Sequence, residues 1–234
     1  TVKMGSNSIV IPVATWNAAS TLNITGAVAA TSVTNGAQAF GNVIYNCPAA
    51  TGTMSFFTSN TVTIQNLTIE ATNTGRFRAL TSGTLNVGSI TVNGGTFEVA
   101  STTGTINVSG NVTVNGGTLD VTSGTGAATL KIAGNFNQTA GTVNSSGTST
   151  TNNIEFNGTV AQTATFGTMG TGPLGVRINN AAGVTLSGTL AINANAALTV
   201  TNGSLTGGGT VTYNATSSRL IYNGTAGAQT ATAV

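Results

Sequence analysis

This sequence has no histidine, one cysteine and three prolines, and its 234 residues carry only six basic and four acidic side chains. Each shortage excludes something. Without histidine the usual general base near neutral pH and the commonest metal ligand are missing. The lone Cys47 rules out a framework of intrachain disulfides, so stability must come from packing; we expect a small buried residue before the turn at Pro48. No run of about 18 apolar residues occurs, which argues against a membrane helix. The charged fraction of 4% is far below the roughly 25% of ordinary globular proteins. The net charge of +2 rests on so few groups that no basic stripe exists for nucleic acid or anionic lipid.

What is abundant is Gly, Thr, Asn, Val and Ile, the vocabulary of strands and sharp turns. The clearest stretch says the same thing twice. Gly83-Thr84-Leu85-Asn86-Val87-Gly88-Ser89-Ile90-Thr91-Val92-Asn93-Gly94-Gly95-Thr96-Phe97-Glu98-Val99 returns as Gly104-Thr105-Ile106-Asn107-Val108-Ser109-Gly110-Asn111-Val112-Thr113-Val114-Asn115-Gly116-Gly117-Thr118-Leu119-Asp120-Val121. The period is roughly 21 to 22 residues, in the range of stacked repeats. Each copy holds three apolar-x-apolar triplets, and alternation turns the apolar pair inward and the residue between them outward. Gly, Ser and Asn-Gly-Gly between triplets suit corners. One copy is therefore a three-sided coil, and the fold class is all-β: a parallel β-helix, or β-solenoid, with three short strands per coil of about 21 to 24 residues, right-handed as parallel crossovers are.

The pattern divides the chain into irregular N-terminal coils or a cap over residues 1–53, regular coils over 54–153, and a β-helix module over 154–234 whose longer repeat restarts near residue 220. That longer echo pairs Ile154-Glu155-Phe156-Asn157-Gly158-Thr159 and Ala161-Gln162-Thr163 with Leu220-Ile221-Tyr222-Asn223-Gly224-Thr225 and Ala228-Gln229-Thr230. Trp16 suits a cover over the open end of the core. Asn86, Asn107 and Lys131, and likewise Glu98, Asp120 and Asn144, should form vertical ladders about 4.8 Å per step. The start at Thr1 and the restarting repeat suggest a cleaved leader or a piece of a longer polypeptide.

Three phrases carry a resemblance: Phe40-Gly41-Asn42-Val43-Ile44-Tyr45-Asn46-Cys47-Pro48, Val176-Arg177-Ile178-Asn179-Asn180-Ala181-Ala182-Gly183-Val184-Thr185-Leu186, and the Tyr/Phe-Asn-Gly-Thr with Ala-Gln-Thr units. They resemble large repetitive β-helical surface proteins of Bacteroidota, adhesins and filament-forming proteins exported by the type IX secretion pathway. The resemblance implies a secreted or cell-surface location, a β-helical stalk and no catalytic residues.

Candidate sites are few. Glu98 and Asp120 stack on adjacent coils and are read as two solvated carboxylates, against a weak Ca²⁺ contact or a retaining glycosidase pair. Arg76 and Arg78, around Phe77, are read as a solvated pair, against a ligand contact. Thr61/Thr63, Thr210/Thr212 and a middle-strand ladder of Thr91, Thr113 and Asn137, degrading beyond it, are read as Thr serving as the polar residue best suited to exposed strands, against a flat glycan- or ice-binding face. Uncapped strand edges favour self-assembly, with Ile9, Ile11, Leu22 and Ile24 or Leu220 and Tyr222 as the contacts. Gly207-Gly208-Gly209 and sequons such as Asn107-Val108-Ser109 follow from turn and composition chemistry. The sequence therefore reads as a non-catalytic extracellular structural protein, an adhesin stalk or filament subunit without cofactor or metal. Its expected partners are itself and surface glycans, not nucleic acid. A flat-face binding module is the alternative and a carbohydrate-active enzyme the third reading.

Overall fold

A computed structural model describes residues 1–5, 9–57 and 62–223. Its 23 strands, with no helix among the described residues, stack in parallel as a β-solenoid of about ten coils, about 22 residues each. The doubled stretch shows why. Leu85 and Val87 align with Ile106 and Val108, then with Leu130 and Ile132, and all six are buried. This row makes the first face. Ile90 and Val92 align with Val112 and Val114 to make the second face, and Phe97 aligns with Leu119 and Val143 on the third.

First and second faces belong to one 15-stranded sheet, while the third is a separate 8-stranded sheet up to Thr168–Met169; above it, Leu174–Ile192 of the larger sheet runs on into the third face and pairs there with Thr210–Tyr213. The difference lies in the corners. Long strands such as Val62–Thr72, Gly83–Val92 and Leu174–Ile192 run round the first corner without a break. Three strands per coil are thus often two, one of them bent. The corner into the third face is tighter. Gly95, Gly117 and Gly141 sit there at φ of 69°, 64° and 74°, a conformation that only glycine adopts cheaply. A Cβ on Gly117 would lie 2.2 Å from the carbonyl oxygen of Gly95 in the coil beneath. The repeated Asn-Gly-Gly is a column of such corners.

The parallel register also runs through the N-terminal residues, from Val2–Met4 to Thr21–Ile24 to Phe40–Cys47 to Val62–Thr72. Inside, aromatic rings climb the third face, Phe56 to Phe77 at 5.5 Å and Phe77 to Phe97 at 6.1 Å between centroids. Trp16 packs on Phe40 at 5.1 Å, and its indole N–H donates to Gln38. Cys47 is buried, its thiol donating to the Ile24 carbonyl at 3.4 Å, and burial pushes that thiol's pKa up.

Two glutamines stand where the pattern calls for apolar residues. Gln138 donates to the carbonyls of Gly141 and Thr168 and accepts from the Gly167 N–H. Gln162 donates to Ile132 and Gly134 and accepts from Gly158 and Asn180. Both are buried, with amides that tie coils together as a buried polar group requires. The Ala-Gln-Thr unit is therefore a clamp. Its echo at Gln229 lies outside the described residues.

Candidate functional site

On the third face Ser55, Arg78, Glu98, Asp120 and Asn144 form one ladder, as expected of the last three. The expected solvation of Glu98 and Asp120 is overturned: Glu98 is 0% and Asp120 3% exposed. Alternation does point them out of the apolar core, but neighbouring coils fold over them. Arg78 Nε reaches Glu98 Oε2 at 2.9 Å and Arg76 Nη1 reaches it at 3.4 Å, while the same Arg76 atom lies 3.7 Å from Asp120. From the coil above, the backbone N–H and hydroxyl of Ser123 donate to Glu98 Oε1 at 3.0 and 2.6 Å. Ser146 holds Asp120 in the same way, and the Gly172 N–H reaches Asn144. The two arginines are accordingly not a free solvated pair. Burial raises the Asp120 pKa; the Ser146 hydrogen bonds oppose this, Glu98 adds to it, and Arg76 opposes it.

Among the described residues no group of three His, Cys, Asp or Glu side chains is placed to hold a metal ion. A glycosidase pair needs one carboxyl to reach a leaving group and the other to reach the sugar carbon or a water. Here the oxygens of Glu98 and Asp120 already receive serine and arginine donors.

The middle-face ladder is longer than expected. Thr91, Thr113 and Asn137 stack as read, but Thr68 lies beneath Thr91, and Thr165 and Ser187 continue above Asn137. The expected degradation does not occur. A second column beside it includes Asn66 and Ser89 below and Thr163, Thr185 and Thr206 above. Thr210 and Thr212 stack on Thr189 and Ala191 instead, away from this face, and Thr61 lies outside the described residues.

The proposed assembly contacts divide. Ile9, Ile11, Leu22 and Ile24 are at most 1% exposed, because they point inward in the first coils. Their side chains are core and unavailable to a partner, which corrects that expectation. Leu220 and Tyr222, in the strand Arg219–Tyr222, are 43% and 41% exposed, and Tyr213 is 43% exposed.

One concavity was not anticipated. A groove of about 540 Å³ runs along the corner between first and second faces. Its rim is the ladder Thr63, Asn86, Asn107 and Lys131. Its bed is the column that follows the inward Ile64, Val87, Val108, Ile132 and Phe156, namely Gln65, Gly88, Ser109, Ala133 and Asn157. Three small residues flanked by an amide at each end leave a trough. In the sequence these looked like corner residues, and only the missing side-chain bulk on three successive coils could have shown it. A scan of the sequence against family models finds no match, and neither curated proteins nor solved structures yield a significant similarity.

Proposed function

We propose that this chain is a non-catalytic extracellular rod, serving as an adhesin stalk or as a subunit of a surface filament. One observation carries the reading: parallel pairing continues from Val2–Met4 to Arg219–Tyr222 along a single axis, with the inner side of each face buried. Such a stack resists extension because every coil is hydrogen-bonded to the next. The charged groups support the same reading, since Glu98 and Asp120 hold neighbouring coils together. At the last described coil, exposed Leu220 and Tyr222 continue the inner row and offer an apolar end for another coil or copy. Negative-stain electron microscopy of the purified chain across a concentration series tests this. Uniform fibres that lengthen with concentration are expected; isolated short rods at every concentration overturn self-assembly.

A second reading, binding of ice or neutral glycans on the flat middle face, is favoured by the six-coil ladder from Thr68 to Ser187. Thr is also simply a good polar residue for exposed strands, so the rod reading stands first. Thermal hysteresis abolished by the pair Thr91→Lys and Thr113→Lys would reverse that order.

A further inference from the structure

The groove along the first corner has the features of a ligand site. Its volume of about 540 Å³ lies within the roughly 300–1,000 Å³ of small-molecule pockets. Along the axis it spans three to four strand spacings, on the order of 15–20 Å. The shape suits a linear chain whose units advance by close to one strand spacing, as pyranose rings do. Partly exposed Gly88 and Ala133 give the bed a low apolar floor for sugar C–H faces, while along the rim Thr63 offers a hydroxyl and Asn86 and Asn107, joined by the Asn107 amide donating to Asn86 Oδ1 at 2.9 Å, offer their remaining amide groups in step with the coils.

Two polar groups in the groove have unmet capacity. Asn157 Oδ1 is buried without a hydrogen-bond partner among the described residues, and a buried acceptor left unpaired costs about 1–3 kcal/mol. Lys131 is half-buried in the wall, and no ion pair reaches it among the described residues. Its ladder neighbour Glu155 is directed elsewhere, to Arg177 at 3.7 Å and to the Asn179 amide at 3.0 Å. The site therefore lacks a hydroxyl or N–H donor at one point and an anion nearby. A single cation is too little for a nucleic-acid backbone, whose binding draws on many phosphate contacts.

We propose that this groove binds a short linear oligosaccharide carrying a carboxylate, with Lys131 facing the carboxylate, Asn157 accepting from a hydroxyl, and Asn86 and Asn107 reading hydroxyls on successive units. The site lies on the flank of the rod, away from its ends, so it operates whether or not the rods assemble. It would give a stalk a means of holding acidic surface polysaccharide along its length.

Isothermal titration with trigalacturonic acid, and with cellotriose as the uncharged comparison, tests the assignment. Ser109→Tyr fills the bed from an exposed position, Lys131→Gln removes the cation, and Lys3→Gln is a control on the end strand. Saturable binding of the acidic trisaccharide is expected, weakened about tenfold or more by Ser109→Tyr and several-fold by Lys131→Gln, unchanged by Lys3→Gln, with circular dichroism unaltered throughout. No saturable binding at millimolar ligand, equal binding by Ser109→Tyr, or equally tight cellotriose would each overturn it. Fibre formation is scored separately by microscopy, so a failure here is distinct from a failure of the rod reading.

Discussion

Glu98 keeps a full complement of partners inside the flank of the rod. Two guanidiniums from the coil below and one serine from the coil above converge on it. Removing one member of a buried ion pair strands the others. Glu98→Ala should therefore lower unfolding free energy by about 2–3 kcal/mol, less than a fully buried pair because Arg76 and Arg78 side chains keep 29% and 20% exposure; a loss under about 1 kcal/mol in urea titration would contradict this account. Asp120 has the opposite sign. Its pKa is raised by burial, so the folded state binds its proton more tightly than the unfolded chain does, and its ionisation costs stability above the folded pKa. Acidification through the interval between folded and unfolded values restores that stability. Asp120→Asn, which installs the amide already present one coil up at Asn144, should be close to neutral at pH 7. Relative to it, the parent should gain stability on moving to pH 4; denaturation curves at both values show whether it does. The outward setting of these carboxylates was legible from alternation at Phe97-Glu98-Val99. Their burial was not, because Arg76, Ser123 and Ser146 come from other coils and no local pattern announces them.

At the scale of the element, the inner rows were readable because burial on a strand imposes a period of two, and Leu85/Val87 through Leu130/Ile132 keep it. The middle ladder was lost beyond Asn137 for a physical reason. The coil above it is lengthened, so that Thr163 lies 28 residues from the Asn135 it bonds, and a fixed period of roughly 22 no longer finds the partner. Gln162 makes the longer coil possible by satisfying the carbonyls and N–H groups that the detour exposes. Corners are the other place where local chemistry decides. Gly117→Ala must place a methyl 2.2 Å from the Gly95 oxygen at φ of 64°. The backbone strain alone costs about 1 kcal/mol or more, and the clash adds to it. Hydrogen exchange should show lost protection in the coils holding Gly95, Gly117 and Gly141, with distant coils unaffected, because each repeat contacts only its neighbours. Uniform loss along the rod would mean that the coils unfold as one unit.

For the whole molecule the scarcity of charge bears on the proposed assembly. Of six bases and four acids, Arg76, Arg78, Glu98, Asp120, Glu155 and Arg177 are engaged with one another, and the net charge is only +2. Little repulsion opposes contact between rods, and little charge is left to hold them together. In the proposed assembly, cohesion would then come from the apolar groups at the last described coil, Tyr213, Leu220 and Tyr222. Screening by sodium chloride acts on charges within about a Debye length, roughly 10 Å at 0.1 M and 3 Å at 1 M, whereas sulfate strengthens apolar burial by being excluded from protein surface. Sedimentation velocity should therefore show association that is unchanged between low and high sodium chloride and increased by ammonium sulfate. The double variant Leu220→Asp and Tyr222→Asp should sediment as short rods in both salts with its circular dichroism intact. Dissolution of the assemblies by sodium chloride would instead assign the contact to the charges outside those ion pairs, Lys3, Glu70, Lys131 and Arg219, and remove the apolar end from the mechanism.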